Sequence, residues 1–438
     1  MSNRIWPPSQ AAWRRLALFT LALGLLVAGC ARPAPVATPA PTLTTAPQAT
    51  DTVAAAPSPA NTATQTAVAA TATADATATA VASATPEPQP TTAPVRSMRL
   101  NSPEYGMQAF LWYRPEVASR DVQLVKQAGF GWIKQGVGWR DVEPVKGQFN
   151  WAQLDQIVQW MGEQQLNLIV RLDSQPEWAG GGYPTNGPPT NYADFGNFVY
   201  AMASRYRGRI RAYEIWNEPN LAREWGGRPP SPAEYVRLLK VAYGRIKQAD
   251  PAAIVVSAGL TPTGTNSPEA MPDDVYLEGM YQAMGGSSNG YFDALGAHAP
   301  GYKAPPEMSP DQVAADPNYG GQRFFCFRRV EDLRKIMVKH GDQDKQVYIL
   351  EFGWTSDPVN PSYAWHRVTE EQKADYLVRA YQYAKANWSP WIGLMSLIYI
   401  VDPGWTQKDE QYWWSITDPG WPEFKPRPAY NALKAMPK

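Results

Sequence analysis

Cysteine and histidine are almost missing from the 438 residues: there are two of the first and three of the second. Two cysteines, Cys30 and Cys326, cannot build a disulfide framework. The histidines, His298, His340 and His366, include no pair at metal-ligand spacing, so no catalytic metal is expected. Excess charge is missing as well. Forty Lys and Arg balance forty Asp and Glu, which removes the basic surplus that marks a nucleic-acid partner. Neither a G-x-G-x-x-G turn nor a P-loop occurs, so the sequence gives no support to a nucleotide-binding open sheet, and no cofactor is expected. The N-terminal apolar stretch, Leu16 to Ala28, is too short to span a bilayer comfortably.

That stretch has another use. Arg4, Arg14 and Arg15 precede it, and Leu26-Val27-Ala28-Gly29-Cys30 closes it. A basic region, an apolar core and a small-residue end make an export signal, and the last five residues resemble the bacterial lipobox. The resemblance implies removal of residues 1–29 and lipidation of Cys30. The chain would then be anchored to a membrane and face the cell exterior or periplasm. The alternative is an ordinary signal peptide that happens to contain a cysteine. Residues 30–97 follow, built mainly of Ala, Thr and Pro without an aromatic side chain. Such a segment buries too little apolar surface to offset its chain entropy, so a disordered linker is expected. As a flexible coil its ends would stand on the order of 45 Å apart.

From residue 98 to 438 the pattern changes. Short β-rich runs alternate with longer stretches of helical period, the signature of repeated βα units and a parallel sheet. Eight strands are predicted: Tyr105–Leu111, Trp132–Trp139, Asn167–Asp173, Tyr213–Pro219, Ala253–Leu260, Asp293–Pro300, Val347–Trp354 and Leu394–Ile400. Helices are predicted over Val117–Ala128, Trp151–Gln164, Pro232–Gln248 and Glu370–Ala386. The fold class is therefore α/β, a (β/α)8 barrel, with a doubly wound open sheet as the runner-up. Active sites in such barrels sit at the C-terminal strand ends. Aromatics make up 12% of the chain, with 18 Trp and 22 Tyr, many beside Gly or Pro. Some of them fill the core. Those on loops suit a carbohydrate ligand, whose apolar ring faces stack on aromatic rings.

Two predicted strand ends carry carboxylates. The fourth reads Trp216-Asn217-Glu218-Pro219, and the seventh Leu350-Glu351-Phe352-Gly353. Glycoside hydrolysis needs such a pair, one acid for the leaving oxygen and one nucleophile or base. Glu214, four residues before Glu218, lies deeper and is expected to make a structural ion pair.

In this order the chain resembles the retaining glycoside hydrolases of clan A, the (β/α)8 cellulases, mannanases, xylosidases and galactosidases, with features of families 5 and 39. Asn217-Glu218-Pro219 matches the clan motif at the fourth strand, and Glu351 matches the nucleophile at the seventh. Gly147-Gln148-Phe149-Asn150-Trp151 and Lys425-Pro426-Arg427-Pro428-Ala429-Tyr430 match its opening and closing segments.

The resemblance implies that Glu351 attacks the anomeric carbon, that Glu218 is acid and then base, and that Asn217 binds the sugar 2-hydroxyl. It carries His298 and Tyr302 over as contacts to the nucleophile or sugar. Two close carboxyls are expected to separate in pKa, one staying protonated near neutral pH. Arg171 either orients the nucleophile or pairs with Asp173. Gln135, Trp139 and Trp112 are expected along the sugar pocket, and Trp405 as the platform beneath the sugar. Residues 301–330 either cap the cleft or form a packed surface loop, with Cys326 as a buried small hydrophobe. His340 and His366 read as surface residues. The expected function is retaining cleavage of β-glycosidic bonds in oligo- or polysaccharides. The competing reading is a catalytically silent barrel that binds carbohydrate at the cell surface.

Overall fold

Eight parallel strands close a barrel in chain order, with the last pairing back onto the first. The computed structural model describes residues 98–112 and 114–438. The expected signal peptide, the lipidation of Cys30 and the 30–97 linker lie outside the described residues. The strands are β1 Glu104–Gln108, β2 Trp132–Gly138, β3 Asn167–Asp173, β4 Ala212–Ile215, β5 Ile254–Ser257, β6 Ala294–His298, β7 Gln346–Phe352 and β8 Ile392–Leu397. All eight coincide with predicted runs. Each is followed by a main helix: α1 Pro115–Gln127, α2 Ala152–Gln164, α3 Tyr192–Arg205, α4 Pro232–Ala249, α5 Asp273–Ala283, α6 Val330–Lys339, α7 Glu370–Asn387 and α8 Pro428–Ala435.

The helices begin and end where the chain chemistry directs. Ser231 caps α4 by accepting from Glu234 N, and Pro232 opens its first turn. Thr369 and Gln372 form a capping box on α7. The buried face of α2, Leu154, Ile157, Val158 and Met161, has helical spacing and docks on the barrel. Helices α3, α5, α6 and α8 were not among the predicted ones. In α3, Phe195, Phe198, Val199 and Met202 are buried at i, i+3, i+4 and i+7, so its helical period was present in the sequence.

The alternation of side chains layers the barrel interior. Trp132, Ile169, Ala212, Ile254, Ala294, Tyr348 and Leu394 form its dry floor. Two residues further along β2, β3 and β4, the same inward face presents Lys134, Arg171 and Glu214. A charged layer therefore sits directly above the apolar one, toward the C-terminal mouth.

Residues 301–330 form a pinned segment with a short helix, Pro310–Ala315. Arg329 donates to Asp273, and Arg328 to Glu331. Cys326 is buried with Ala304 and Val313, as expected of a small hydrophobe, and burial pushes its thiol up to about 12.

Candidate active site

Neither carboxylate is aimed by simple strand alternation. On β7, Tyr348 and Leu350 belong to the barrel floor, so strict alternation would turn Glu351 outward. The β6–β7 ladder breaks this rule. Ala297 lies opposite Ile349, and the next residue, His298, lies opposite Glu351. The bulge skips one position and re-aims Glu351 into the mouth, a recurrent role of bulges beside active sites.

Glu218 lies beyond its strand. The predicted strand Tyr213–Pro219 ends at Ile215, because Trp216 and Glu218 take left-handed φ values of 74° and 38°. Ser174 after β3 and Tyr302 after β6 do the same, at 60° and 52°. Side-chain-bearing residues rarely adopt this region, and such outliers cluster at functional sites. The turn is fixed by Glu218 N donating to Gly259 O and by Trp216 Nε1 donating to Glu224 O at 2.7 Å.

His298 ties the two carboxyls together. Its Nδ1 lies 3.0 Å from Glu218 Oε1 and 3.9 Å from Glu351 Oε2. The ring is buried, and the space it fills exists because residue 259 is glycine. A Cβ there would come within 2.2 Å of the imidazole.

Cations complete the site. Lys134 Nζ, buried in the charged layer, lies 2.9 Å from Glu351 Oε1 and 3.2 Å from Glu214 Oε2. This is the structural ion pair expected for Glu214. Lys134 itself was missed, although a lysine at the same inward level as a glutamate was a readable signal. Arg171 reaches both carboxylates expected of it. Its Nε pairs with Asp173 at 2.8 Å, while Nη1 lies 3.4 Å from Glu351 and donates to Asn217 Oδ1 at 3.1 Å. Asn217 therefore sits beside the carboxyls, oriented by Arg171.

This distribution of charge overturns the expected split in pKa. Burial alone would push Glu351 up, but Lys134, His298 and Arg171 outweigh it and hold its carboxyl below the ordinary value. Burial also opposes ionisation of Glu218, yet the His298 hydrogen bond and the Arg223 charge bring it down to about 2. Both carboxyls are thereby held below the ordinary value. Each has its own cationic partner, so neither has to yield its charge to the other.

Several expected contacts lie elsewhere. Trp139 does not line the cleft. The chain turns into a short helix, Trp139–Val142, which swings the indole into the layer between strands and helices. There it stacks on Phe198 and donates to Glu143. Gln135 is buried with both ends committed to backbone, accepting from Leu111 N and donating to Gly136 O. Trp112 is buried in the same core as Trp139. His366 is buried rather than on the surface, packed against Trp365 and Tyr302.

Tyr302 does not touch Glu351. Its hydroxyl lies 3.4 Å from Pro262 O, and its ring joins Phe325 beside a groove lined also by Thr263, Gln322 and Phe324. Trp405 packs edge-on against Phe110 and Tyr399, and this half-buried trio spans the ends of β1 and β8. Tyr399 was not singled out from the sequence. Among the described residues, no group of three or more His, Cys, Asp or Glu is arranged to hold a metal ion.

The comparisons fit this arrangement. The family model described as cellulase (glycosyl hydrolase family 5) matches residues 90–393. No curated protein matches the chain. Three solved structures share the fold at low identity. A family 39 glycoside hydrolase from Bacteroides cellulosilyticus WH2 aligns at 19% identity and a TM-score of 0.55. The alignment takes in 76% of this chain and 63% of that protein, just under two thirds of its length. A glucosidase from Croceicoccus marinus aligns at 14% and 0.55, covering 78% and 68%. Xylanase 10B from Thermotoga maritima aligns at 14% and 0.51, covering 77% and 95%.

Proposed function

The chain belongs to the cellulase family, glycosyl hydrolase family 5 of clan A, and is a glycoside hydrolase; from that premise we propose that it cleaves β-glycosidic bonds of oligo- or polysaccharides with retention, through Glu351 and Glu218. The observation that carries this reading is the single His298 nitrogen in reach of both carboxyls. It limits their nearest oxygens to at most about 7 Å, which leaves room for the roughly 5–5.5 Å of a retaining pair and little of the wider inverting range.

In this reading Glu351, ionised beside Lys134 and Arg171, attacks the anomeric carbon while the leaving oxygen takes a proton from Glu218. Glu218, again ionised, then draws a proton from the water that cleaves the glycosyl-enzyme. Asn217, its oxygen engaged by Arg171, donates from its amide nitrogen to the sugar 2-hydroxyl. The Phe110, Tyr399 and Trp405 rings provide the apolar surface under the sugar. The sequence at Cys30 adds a lipid anchor to the proposal, tested by labelling with a fatty-acid probe in wild type and Cys30→Ser.

The test is release of reducing sugar from β-glucans, xylans, mannans and galactans by wild type and Glu351→Gln, with proton NMR of the first anomer formed. Activity that drops by several orders of magnitude in the variant, with a β-anomer product, is expected. Equal activity in both removes Glu351 as nucleophile, and an α-anomer removes retention. Glycan binding without hydrolysis by either protein moves the assignment to a surface-binding barrel.

A further inference from the structure

Glu218 has a cationic partner that bond cleavage does not call for. Arg223 stands on the turn Ala222–Glu224, and its Nη2 lies 2.9 Å from Glu218 Oε2. The two oxygens of Glu218 are thereby divided, Oε1 toward His298 and Oε2 toward Arg223. The turn that carries Arg223 is fixed. Leu221 N donates to Glu218 O, Gly227 N donates to Ala222 O, and Asn186 Nδ2 holds the Glu224 carboxylate at 2.7 Å. The arginine side chain is not fixed in this way. It is 56% exposed, with Glu224 Oε1 a second carboxylate 3.8 Å from its Nε.

We propose that Arg223 is a positioning residue that pairs with Glu218 before substrate binds, is displaced when the leaving group occupies that place, and returns for the second half-reaction. The proposal rests on Glu218 being the acid/base. A guanidinium is always charged, so the oxygen it binds cannot hold a proton and donate it to a glycosidic oxygen. In the first half-reaction Glu218 must carry that proton, taken from solvent once Arg223 has moved toward Glu224, and it passes the proton to the leaving oxygen. In the second, Glu218 must be ionised to accept a proton from water, and the returning Arg223 favours that state. One contact therefore opposes the first step and assists the second, and occupancy of the leaving-group site decides which applies.

The other groups around Glu218 do not replace this cation. His298 faces it from β6, Glu351 from β7, and Tyr302 from the segment after β6. Tyr363 faces it from the segment after β7, Glu410 from the segment after β8, and Glu224 from its own turn. Apart from His298 these are carboxyls or neutral phenols, none of them a cation, and burial opposes the charge on Glu218, so without Arg223 its carboxyl moves toward the protonated form.

The experiment follows the Glu218 carboxyl by carbon-13 NMR in the full-length glutamate-labelled chain, with Glu218→Gln assigning the resonance. In wild type it should stay ionised from about pH 8 to about 3.5, and in Arg223→Gln its midpoint should rise by about one unit or more, the effect of losing a partner charge at this distance. Arg223→Lys should return most of the shift. In parallel, 4-nitrophenyl β-glycosides should show the basic limb of kcat/KM moving up in Arg223→Gln, while kcat falls where cleavage of the glycosyl-enzyme limits turnover. A resonance that stays put in the folded variant overturns the proposal and leaves the hydrolase reading intact. A shifted resonance in a chain that cleaves no glycoside removes the acid/base reading and the displacement step with it.

Discussion

His298 faces Glu351 across β6 and β7 because the ladder slips by one residue between Ala297 and His298. Without the slip, Glu351 would follow the alternation set by Tyr348 and Leu350 and face the helices. The imidazole that results is within reach of both carboxyls, and its position depends on the absent side chain of Gly259. The site is thus built from four consecutive strand ends that have to agree in position: Glu218 after β4, Gly259 after β5, His298 on β6 and Glu351 on β7.

Gly259→Ala tests that agreement. The added Cβ would lie 2.2 Å from the His298 ring, so the ring must move. Its backbone φ is not in the left-handed region, so the backbone tolerates alanine and the fold should hold. The expected outcome is a fall in kcat/KM of roughly 100-fold, the scale of a displaced catalytic group, with a circular dichroism spectrum like wild type. Unchanged activity would mean that His298 does not set the geometry of the pair.

Lys134→Met should harm both stability and activity. Lys134 is buried between Glu351 and Glu214, and its removal strands the buried Glu214 and leaves Glu351 with Arg171 as its cation. Breaking such a pair from one side costs about 3–5 kcal/mol. Adding Glu214→Gln should recover part of that loss, measured by urea unfolding. The sign for activity follows from the proposed mechanism, in which Glu351 must be ionised to attack. Lys134 lowers its pKa against the effect of burial, so losing the lysine raises it and the acidic limb of kcat/KM moves to higher pH.

The barrel was legible because parallel strands covered on both faces read as apolar runs, and all eight predicted runs became strands. Glu218 and Glu351 were legible as carboxylates at strand ends. Lys134 was not, because it lies mid-strand, below the strand ends where barrel sites gather; its signal was the opposite charge of Glu214 at the same depth. The bulge at His298 and the left-handed turns at Trp216 and Glu218 leave no mark in residue type, since each is a backbone event imposed by the closed sheet. Trp139 was misplaced because its strand ends one residue earlier, and the following helical turn rotates it out of the mouth.

That contrast separates two tryptophans by experiment. Trp139→Ala removes a buried indole stacked on Phe198 and should cost about 3–5 kcal/mol, with KM unchanged in the protein that remains folded. Trp405→Ala touches a half-buried ring beside Phe110 and Tyr399 and should leave unfolding almost unchanged while raising KM. Thermal unfolding and glycoside kinetics on both variants read the difference. A raised KM in the first and none in the second would return Trp139 to the sugar pocket.

His366 gives the chain an acid sensitivity unrelated to catalysis. Burial among Trp365, Tyr302, Tyr363 and Trp414 disfavours its charged form and takes its pKa from 6.5 to about 4. A base depressed in the folded state binds fewer protons there than in the unfolded chain. Its contribution is therefore present above pH 6.5 and is lost as pH falls toward 4. At full extent this is on the order of 3 kcal/mol. Glu224 and Asp121 act in the opposite sense over much of the same window, since burial raises them to about 7 and about 6. The total pH profile therefore mixes both signs, and a difference experiment is needed. His366→Phe keeps an aromatic ring and removes the titration. The gap in Tm between this variant and wild type should widen in favour of the variant as pH goes from about 7 to about 4. A gap that stays constant over that range would place His366 in contact with solvent and remove the effect.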